Sequence, residues 1–360
     1  MKTEHKNLSR VKKSTLREIA ERAGVSMMTA SNVINQKEDH YSSETRERVL
    51  RAATDIGYVP NPVARHLRKG RVGLIALVIP DILNPYYSEL SQHIITEAEA
   101  AGYTVLIHFT NGERDKERLI ISGTKQLTVD GIILDPLALD PEDIQPSKIH
   151  TPLILLGARR LHTPYDHVMI DDAAAAKLAT EHLIQIGRKR IAPIGVTAGT
   201  SKGMPYFRLE GFKQALREAG LFIDEAMLMP TPIPRFDRAH GAMIMEQLLA
   251  LPAPPDAVFC FNDLVALGAM RLLLDHGYRV PDDVAVIGFD NIVESKFSVP
   301  PLSTIAQGRL DMSRLALRLL LERVEGKRTD KPETVTASFR LIPRTSTIGK
   351  AYPSDLHVKD

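Results

Sequence analysis

The chain has no tryptophan and only one cysteine, Cys260, among its 360 residues. One cysteine cannot close an internal disulfide, and the apolar neighbours in AVFCF indicate an inert core residue. The first residues are polar and basic, without the apolar segment of a secretory signal, and no apolar run approaches the length of a membrane span. We therefore expect a cytoplasmic protein with no membrane partner.

Motifs for catalysis and metal binding are also missing. The sequence has no P-loop, no G-x-S-x-G, no cysteine placed beside a histidine and no histidine spacing typical of a metal site. Its twelve histidines are scattered along the chain. The sequence therefore predicts no enzymatic activity, no cofactor and no metal, although the absence of motifs is weak support when taken alone.

Charge is distributed unevenly along the chain. Residues 1–71 contain 15 Lys and Arg against 8 Asp and Glu, whereas the remaining 289 residues contain 31 against 36. A basic first segment followed by an acidic body indicates that only the first segment meets a polyanion such as nucleic acid. A solvated charged face is the alternative interpretation.

The segment TLREIAERAGVSMMTASNVIN (15–35) has the pattern of two short helices joined by a tight turn. Thr15 and Glu18 have the spacing of a capping box, and an apolar helical stripe follows them. Gly24 can take a positive φ and end this helix, and Ser26 is placed to cap the next one. The pattern predicts a DNA-binding helix-turn-helix, with an ordinary helical hairpin in a core as the alternative.

A third helix is predicted after a polar loop, capped by Ser42 or Ser43 and ended by Gly57. We expect residues 1–13 to form a disordered basic arm and residues 14–60 to form the helix-turn-helix domain. Residues 61–71 are predicted to be a linker whose one or two helical turns order only against DNA and a second copy of the chain, because so short a helix is unstable alone.

From residue 72 the hydrophobic pattern changes. The segment VGLIALVIP (72–80) is typical of a strand buried on both faces of a parallel sheet. Alternating strands and helices follow, which predicts an α/β protein with a doubly wound sheet. The strands are too many for one small sheet, so we expect two sheets. The further predicted strands are 104–110, 131–136, 152–157, 167–171, 191–195, 257–262 and 284–290. The predicted helices are 86–101, 113–127, 173–186, 205–219, 238–250, 263–276 and 310–324, with a short helix between the strands 131–136 and 152–157.

REIAERAGVSMMTASNVINQ and SSETRERVLRAATDIGYVPNPVARHLR resemble the head and hinge of the lac-repressor family of bacterial transcription regulators. The resemblance extends from Thr15 to about Thr347. It implies a three-helix helix-turn-helix head and, over residues 72–349, a two-lobed effector domain like periplasmic sugar-binding proteins. It implies three crossovers between the lobes, with entry into the second lobe after Asp171 and return near Ser298.

The resemblance also implies a homodimer on roughly palindromic operator DNA, because the symmetry of the protein matches that of the DNA. Some members become tetramers through a C-terminal helix with leucine heptads. Residues 350–360, KAYPSDLHVKD, contain no such heptads, so we expect only a tail there.

In the family, the first residues of the second helix read base edges, and these map onto Met27, Met28, Thr29 and Asn32, with Ser31 near a phosphate. The family usually has Arg at the position of Asn32, and Asn favours adenine where Arg favours guanine. The two methionines offer only apolar contact, which suits thymine methyl groups. Asn32 could instead contact phosphate alone.

The family's hinge helices wedge a leucine into the minor groove, and this leucine maps onto Leu67, with Ala64 and Arg65 in matching positions. Without the resemblance, Leu67 would be interpreted as a linker residue that packs on the body of the protein. The remaining predicted DNA contacts are Thr15, Ser26, Asn35, Tyr41, Asn61 and Arg68.

Ligands of open α/β sheets bind beyond the carboxyl ends of the strands, where this chain carries polar and aromatic residues. Arg208 maps onto an arginine that members of the family use to grip hydroxyls or carboxylates, and Phe236 maps onto an aromatic platform. Asn262 also fits a helix cap, Asp171 fits a cap better than a ligand contact, and aromatic residues are often core. The predicted effector contacts are Asn84, Tyr86, Asp171, Arg208, Phe236, Asn262 and Asp290.

Such groups suit a sugar or sugar acid, because Asp, Asn and Arg pair with hydroxyls while an aromatic ring covers the apolar sugar face. We therefore expect a sequence-specific transcriptional regulator that represses a carbohydrate-utilisation operon and whose operator affinity is changed by a sugar-like effector. One alternative is a cytoplasmic sugar-binding receptor, which the helix-turn-helix argues against. The other is a sugar-metabolism enzyme with a DNA-binding head, which lacks the required phosphate-binding loop.

Overall fold

The structure is a computed structural model that describes residues 14–34, 41–58, 70–122, 128–144, 149–157, 163–197, 203–230 and 236–349. It divides into two compact units, Met1–Arg71 and Val72–Asp360, which we treat separately. The predicted arm, the hinge helix and the tail lie outside the described residues, as do the predicted DNA contacts Asn35, Asn61, Ala64, Arg65, Leu67 and Arg68.

The first unit contains three helices, α1 (Leu16–Ala23), α2 (Met27–Ile34) and α3 (Ser43–Asp55). The capping box at the start of α1 is formed: the Thr15 N–H donates to Glu18 Oε2 at 2.8 Å, and the Glu18 N–H donates to Thr15 Oγ1 at 3.3 Å. Gly24 ends α1 with a φ of 63°, a conformation that favours glycine.

The caps of the next two helices are formed by serines. Ser26 Oγ accepts from the Thr29 N–H at 3.0 Å and so begins α2. Ser42, rather than Ser43, caps α3 by accepting from the Thr45 N–H at 3.2 Å. All three helices contribute to one small core, whose buried members are Ile19, Ala20, Ala23, Ala30, Val33, Val49, Ala52 and Ala53. The predicted three-helix head is therefore confirmed.

The second unit alternates strands and helices. Its strands are β1 (Leu74–Ile79), β2 (Thr104–Phe109), β3 (Gly131–Leu134), β4 (Leu153–Leu156), β5 (Asp166–Met169), β6 (Ile191–Ile194), β7 (Ala257–Cys260), β8 (Ala285–Phe289), β9 (Ser303–Gln307), β10 (Thr334–Thr336) and β11 (Phe339–Ile342). Its helices are α4 (Pro85–Ala100), α5 (Arg114–Ile121), α6 (Asp172–Gln185), α7 (Met204–Glu218), α8 (Arg238–Leu249), α9 (Asp263–Asp275), α10 (Val293–Phe297), α11 (Arg309–Val324) and α12 (Thr345–Ile348). None of the helices in the described ranges is both long enough and apolar enough to cross a membrane.

The strands form two sheets, as the sequence predicts. The first has the order β10-β5-β4-β3-β1-β2 and is parallel throughout. The second has the order β11-β9-β8-β7-β6, with β11 antiparallel to β9 at the edge. The two sheets and the helices around them make the two lobes of this unit.

The chain crosses between the lobes three times, but not everywhere that the resemblance implies. It leaves the first sheet after β5, close to the expected position at Asp171. The predicted return near Ser298 is wrong, because β9 still pairs with β8 in the second sheet. The chain returns only at Arg309, where α11 begins, and crosses a third time between β10 and β11.

Strand β1 is buried on both faces, as its continuous apolar sequence predicts. Ile75, Leu77 and Ile79 belong to one buried cluster, whereas the alternating Ala76 and Val78 belong to another. Each face of the strand is thus covered by its own core. The same alternation in β7 places Cys260 in the second-lobe core with no solvent exposure, and burial raises the pKa of its thiol well above the usual range.

Two predicted elements of the first lobe are shorter in the structure. The predicted helix 113–127 corresponds to α5, which ends at Ile121, and residues 123–127 lie outside the described ranges. In the described part of the segment between β3 and β4, the predicted short helix is a single 3₁₀ turn, Pro141–Asp143, and residues 145–148 lie outside the described ranges.

Candidate functional site

Helix α2 has a buried side and an exposed side. Ala30 and Val33 pack into the core of the head, whereas Met27 is 54% exposed and Met28 is 75% exposed. Ser31 and Asn32 are half-buried. Two large apolar side chains therefore face solvent in the first turn of the helix that resembles the family's recognition helix, which leaves them available for contact with base edges.

Other predicted DNA contacts in the head have structural roles of their own. Thr15 and Ser26 cap helices, and Ser26 Oγ also lies 2.8 Å from the hydroxyl of Thr29. Tyr41 is half-buried against the core of the head. Contact between DNA and these residues remains a prediction.

In the second unit, acidic and amide residues follow the carboxyl ends of strands in both sheets. Asp135 follows β3 and Asp290 follows β8, each without an intervening residue. Asn262 lies between β7 and α9, and Asp171 lies between β5 and α6. Both lobes thus present polar groups at the edges where ligands of such sheets bind.

Arg208 is buried, but its guanidinium is already engaged within the protein. Nε donates to Asp172 Oδ1 at 2.7 Å, Nη1 donates to the carbonyl oxygen of Phe261, and Cζ lies 3.4 Å from the centroid of the Phe289 ring. Asp172 itself is only 2% exposed. The predicted ligand-binding arginine therefore forms a buried ion pair, which fixes its side chain at the end of the second sheet.

Asp171, the residue next to this ion pair, is a helix cap. Its Oδ1 accepts from the Ala174 N–H at 3.1 Å at the start of α6, and its side chain is only half-buried. The geometry favours the cap that the sequence analysis weighed against a ligand contact. The acid that faces Arg208 is Asp172, which the sequence analysis did not select.

Asp290 is connected to the first lobe by a chain of hydrogen bonds. Gln307 Nε2 donates to Asp290 Oδ1 at 2.7 Å, and the Tyr86 hydroxyl donates to Gln307 Oε1 at 3.2 Å. Tyr86 belongs to α4 of the first lobe, whereas Asp290 follows β8 of the second. Burial raises the pKa of Asp290 to about 7, and the charge of Arg208 opposes this effect.

Three other predicted contacts are held by local structure. Asn84 caps α4 by accepting from the Tyr86 N–H at 3.0 Å. Asn262 caps α9 by accepting from the Val265 N–H at 2.8 Å, and its Nδ2 donates to the carbonyl oxygen of Phe236 at 2.9 Å. Phe236 is half-buried against the second-lobe core. Asn262 thus positions Phe236 beside the end of β7.

Sequence reasoning missed Asp135, which is only 5% exposed. Burial raises its pKa to about 7, the charges of Glu117 and Asp172 act in the same direction, and a hydrogen bond from Tyr87 opposes them. The signal was present in the sequence, because GIILDP ends an apolar strand with Asp just as VAVIGFD does. The rule that selected Asp290 also selects Asp135.

Asp263 is another buried acid that the sequence analysis did not select, but its partners are internal. Its carboxylate accepts from the hydroxyls of Ser295 and Thr304, each at 2.6 Å, and from the Ile292 N–H at 3.0 Å. Burial raises the pKa of Asp263 to about 6 against these hydrogen bonds. Asp263 therefore fixes the loop that carries Asp290. Within the described ranges, no cluster of three or more His, Cys, Asp or Glu could hold a metal ion.

Comparison with known proteins identifies both units. Residues 15–61 match the family described as bacterial regulatory proteins, lacI family, and residues 180–347 match the periplasmic binding protein-like domain. The HTH-type transcriptional repressor CytR of Escherichia coli (strain K12) is 37% identical to the chain over 322 residues, which cover 87% of the chain and 91% of CytR.

Two solved structures are also similar to this chain. The complex of the transcriptional regulator CelR with cellobiose is 30% identical, with a TM-score of 0.66, and the match covers 93% of this chain and 100% of CelR. The lac repressor dimer bound to operator and the anti-inducer ONPF is 26% identical, with a TM-score of 0.74, and the match covers 93% of this chain and 99% of that one.

Proposed function

Because this chain belongs to the lacI family of bacterial regulatory proteins, and is thus a DNA-binding transcription regulator rather than an enzyme, we propose that it represses a carbohydrate-utilisation operon. A small sugar-like molecule, bound between the lobes of the second unit, changes the affinity of the protein for its operator. Since operator DNA is intracellular in a bacterium, the proposed place of action is the cytoplasm.

The hydrogen-bond chain from Tyr86 through Gln307 to Asp290 is the observation that carries the effector part of this proposal. It joins the carboxyl end of a second-sheet strand to the first helix of the first lobe. A ligand that bonds to Asp290 competes directly with Gln307 and thereby acts on a contact between the lobes. The CelR–cellobiose complex supports a sugar as the ligand class.

The proposed DNA-reading surface is the exposed side of α2. Met27 and Met28 contact thymine methyl groups, and Asn32 bonds to an adenine edge. The exposure of the two methionines supports this assignment. The remaining predicted contacts in the head and the hinge, including the minor-groove wedge of Leu67, remain predictions.

We further propose that the chain acts as a homodimer. The second unit exposes apolar side chains on and beyond α10: Val293 is 57% exposed, Phe297 is 74% exposed and Val299 is 82% exposed. Exposed apolar side chains grouped in this way are typical of surfaces that another protein covers. A second copy of the chain is the proposed occupant, in agreement with the dimeric lac repressor.

In the proposed mechanism, the unit has two states that differ in how the lobes are placed. The ligand shifts the equilibrium between them only by its difference in affinity for the two states. In one state, the hinges of the two subunits pair on the minor groove. In the other state they separate, and the affinity for operator DNA falls.

Selection of duplexes from a random-sequence library with the full-length protein tests the DNA-binding part. We expect enrichment of a roughly palindromic site, and fluorescence anisotropy should show affinity that falls steeply with salt. Asn32→Ala should weaken binding to the selected site by roughly tenfold or more, since one good bidentate base contact contributes about 1–3 kcal/mol. Enrichment of no sequence would contradict the proposal.

The matched control is Gln247→Ala. Gln247 lies on α8 and is exposed. Its substitution removes a side-chain amide, as Asn32→Ala does, but outside the head. Binding to the selected site should therefore stay unchanged in this variant.

A further inference from the structure

Asp135 differs from the buried acids Asp166 and Asp172 of the second unit, each of which is paired with an arginine. The Tyr87 side chain is hydrogen-bonded to Asp135, and the nearby charges of Glu117 and Asp172 are negative. Gly157 lies so close that an added Cβ there would overlap the Asp135 carboxylate. Within the described part of the chain, no arginine or lysine forms an ion pair with Asp135. A buried carboxylate without a counter-charge is costly for a fold, so a hydrogen-bond donor or a cation that reaches Asp135 would stabilise the protein.

The carboxylates of Asp135 and Asp290 affect the same two tyrosines, although the two acids belong to different lobes. Both carboxylates raise the pKa of Tyr86 and of Tyr87, in addition to the effect of burial. These two tyrosines form an edge-to-face pair with ring centroids 5.0 Å apart at the start of α4. The tyrosines therefore lie within electrostatic reach of one acid from each lobe.

The arginines near these acids are occupied by other partners. Arg208 is paired with Asp172 at 2.7 Å, and Arg309 donates to Glu89 Oε2 at 2.5 Å and to the backbone carbonyls of Asp290 and Asn291. Among the described residues of this part of the second unit, carboxylates outnumber guanidinium groups by six to three. The carboxylates are Glu89, Glu117, Asp135, Asp172, Asp263 and Asp290, and the guanidinium groups are those of Arg208, Arg309 and Arg344.

We propose that Asp135, together with Asp290, restricts the site to uncharged or cationic ligands rich in hydrogen-bond donors and excludes sugar acids and sugar phosphates. This inference rests on the proposed function, because it concerns the effector of the same site. It rejects the sugar acid that the sequence analysis left open.

Both halves of the proposal follow from the buried acids. A ligand carboxylate or phosphate would add a like charge in a region of low dielectric, where repulsion is strong. Hydroxyl or amino donors of a neutral or cationic ligand instead satisfy the two carboxylates, and the protein regains part of the free energy that burying them costs. Arg208 offsets this preference only in part, because it is already paired with Asp172.

Calorimetric titration of the full-length protein with matched pairs of ligands tests the proposal. The pairs are ribose and ribose 5-phosphate, glucose and glucuronate, and cellobiose and cellobionate, each measured at about pH 8 so that the acids are ionised. In at least one pair, the neutral member should bind roughly tenfold or more tightly than the anion. Tighter binding of an anion in any pair, or binding of no neutral member, would overturn the proposal.

The variant Asp135→Asn keeps the size of the side chain and removes its charge. We expect weaker binding of the neutral ligand and a neutral-to-anion affinity ratio that narrows by roughly tenfold. Asp282→Asn is the control, because it removes the same charge from an exposed position on the second lobe and should leave the ratio unchanged. An unchanged ratio in Asp135→Asn would also overturn the proposal.

Operator affinity, measured on the same preparations, separates this inference from the proposed function. If a neutral ligand binds with the expected charge preference but leaves operator affinity unchanged, the proposed regulatory function fails and the specificity stands. If an anion binds tightly and changes operator affinity, the specificity fails and the regulatory function stands.

Discussion

Asp135 should weaken the fold that contains it, so Asp135→Asn should stabilise the ligand-free protein at alkaline pH. The carboxylate is 5% exposed, and burial and neighbouring acids raise its pKa from 3.8 to about 7. Below the unfolded pKa both states hold the proton, and the folded state keeps its full stability. As the pH rises from the unfolded pKa to the folded pKa, the unfolded chain has released the proton while the folded chain still holds it, so stability is lost until the folded pKa is passed.

The size of this effect follows from the pKa. Because the folded pKa lies about 3 above the unfolded pKa, full ionisation of Asp135 lowers the free energy of unfolding by about 4 kcal/mol. Roughly 3 kcal/mol of this is lost between about pH 5 and about pH 8. Asparagine has no proton to lose, so the variant escapes this loss. Since each kcal/mol moves the melting temperature of a large domain by roughly 2–4 °C, the variant should melt several degrees higher than wild type at about pH 8.

Thermal melting of both proteins across this pH range, without ligand, is the assay. Other groups also titrate, so the informative quantity is the difference between variant and wild type at each pH. We expect this difference to grow with pH and to be much smaller at about pH 5. A variant that melts at or below the wild-type temperature at about pH 8 would refute the reasoning, because Asp135 would then have a stabilising partner.

Three other substitutions test particular contacts, each by thermal melting. Thr15→Ala removes the capping hydroxyl of α1 and should destabilise the head by about 1 kcal/mol, whereas Thr15→Ser should not; equal melting of the two variants would contradict this role. Glu117→Gln weakens the hydrogen bonds from three backbone N–H groups at 137–139 and should cost roughly 2 kcal/mol, so a neutral effect would show that the loop does not depend on the charge. Gly211→Ala places a Cβ on the Ala173 carbonyl where α6 and α7 pack closely, so it should lower the melting temperature far more than Ala215→Gly; an equal effect would mean that the helices can separate freely.

The parts of the fold that the sequence predicts are those with a strong local pattern. The apolar run of β1 is buried on both faces, and the capping signals of α1 and α2 are formed. Comparison with known proteins also confirms the resemblance to the lac-repressor family. In these segments local propensity and tertiary packing agree, so the pattern alone is sufficient.

The elements that the sequence analysis missed are short or mixed in character. Strands β9, β10 and β11 have the sequences STIAQ, TVT and FRLI, in which polar and apolar residues do not define a period over so few positions. They exist because neighbouring strands offer open edges for pairing, which is a tertiary effect. The predicted return near Ser298 failed for the same reason, since it ignored β9.

The candidate site shows a similar division. Sequence reasoning selected Arg208 and Asp290, which the structure buries at the ends of the second sheet. It could not determine that Arg208 pairs with Asp172 rather than standing ready for a ligand carboxylate, because this depends on how α6 and α7 pack. Nor could it distinguish Asp171 from Asp172, since adjacent residues at a helix start differ only in the direction of their side chains.

The measurement that tests the central claim most directly is operator affinity of the full-length protein with and without a bound neutral sugar. Fluorescence anisotropy on the selected palindromic duplex gives this affinity, and the sugar is the one that binds in calorimetry. The account predicts a change of roughly 5–150-fold that disappears in Asp290→Asn, as expected for typical coupling between two sites. An operator affinity that the bound sugar leaves unchanged would contradict it.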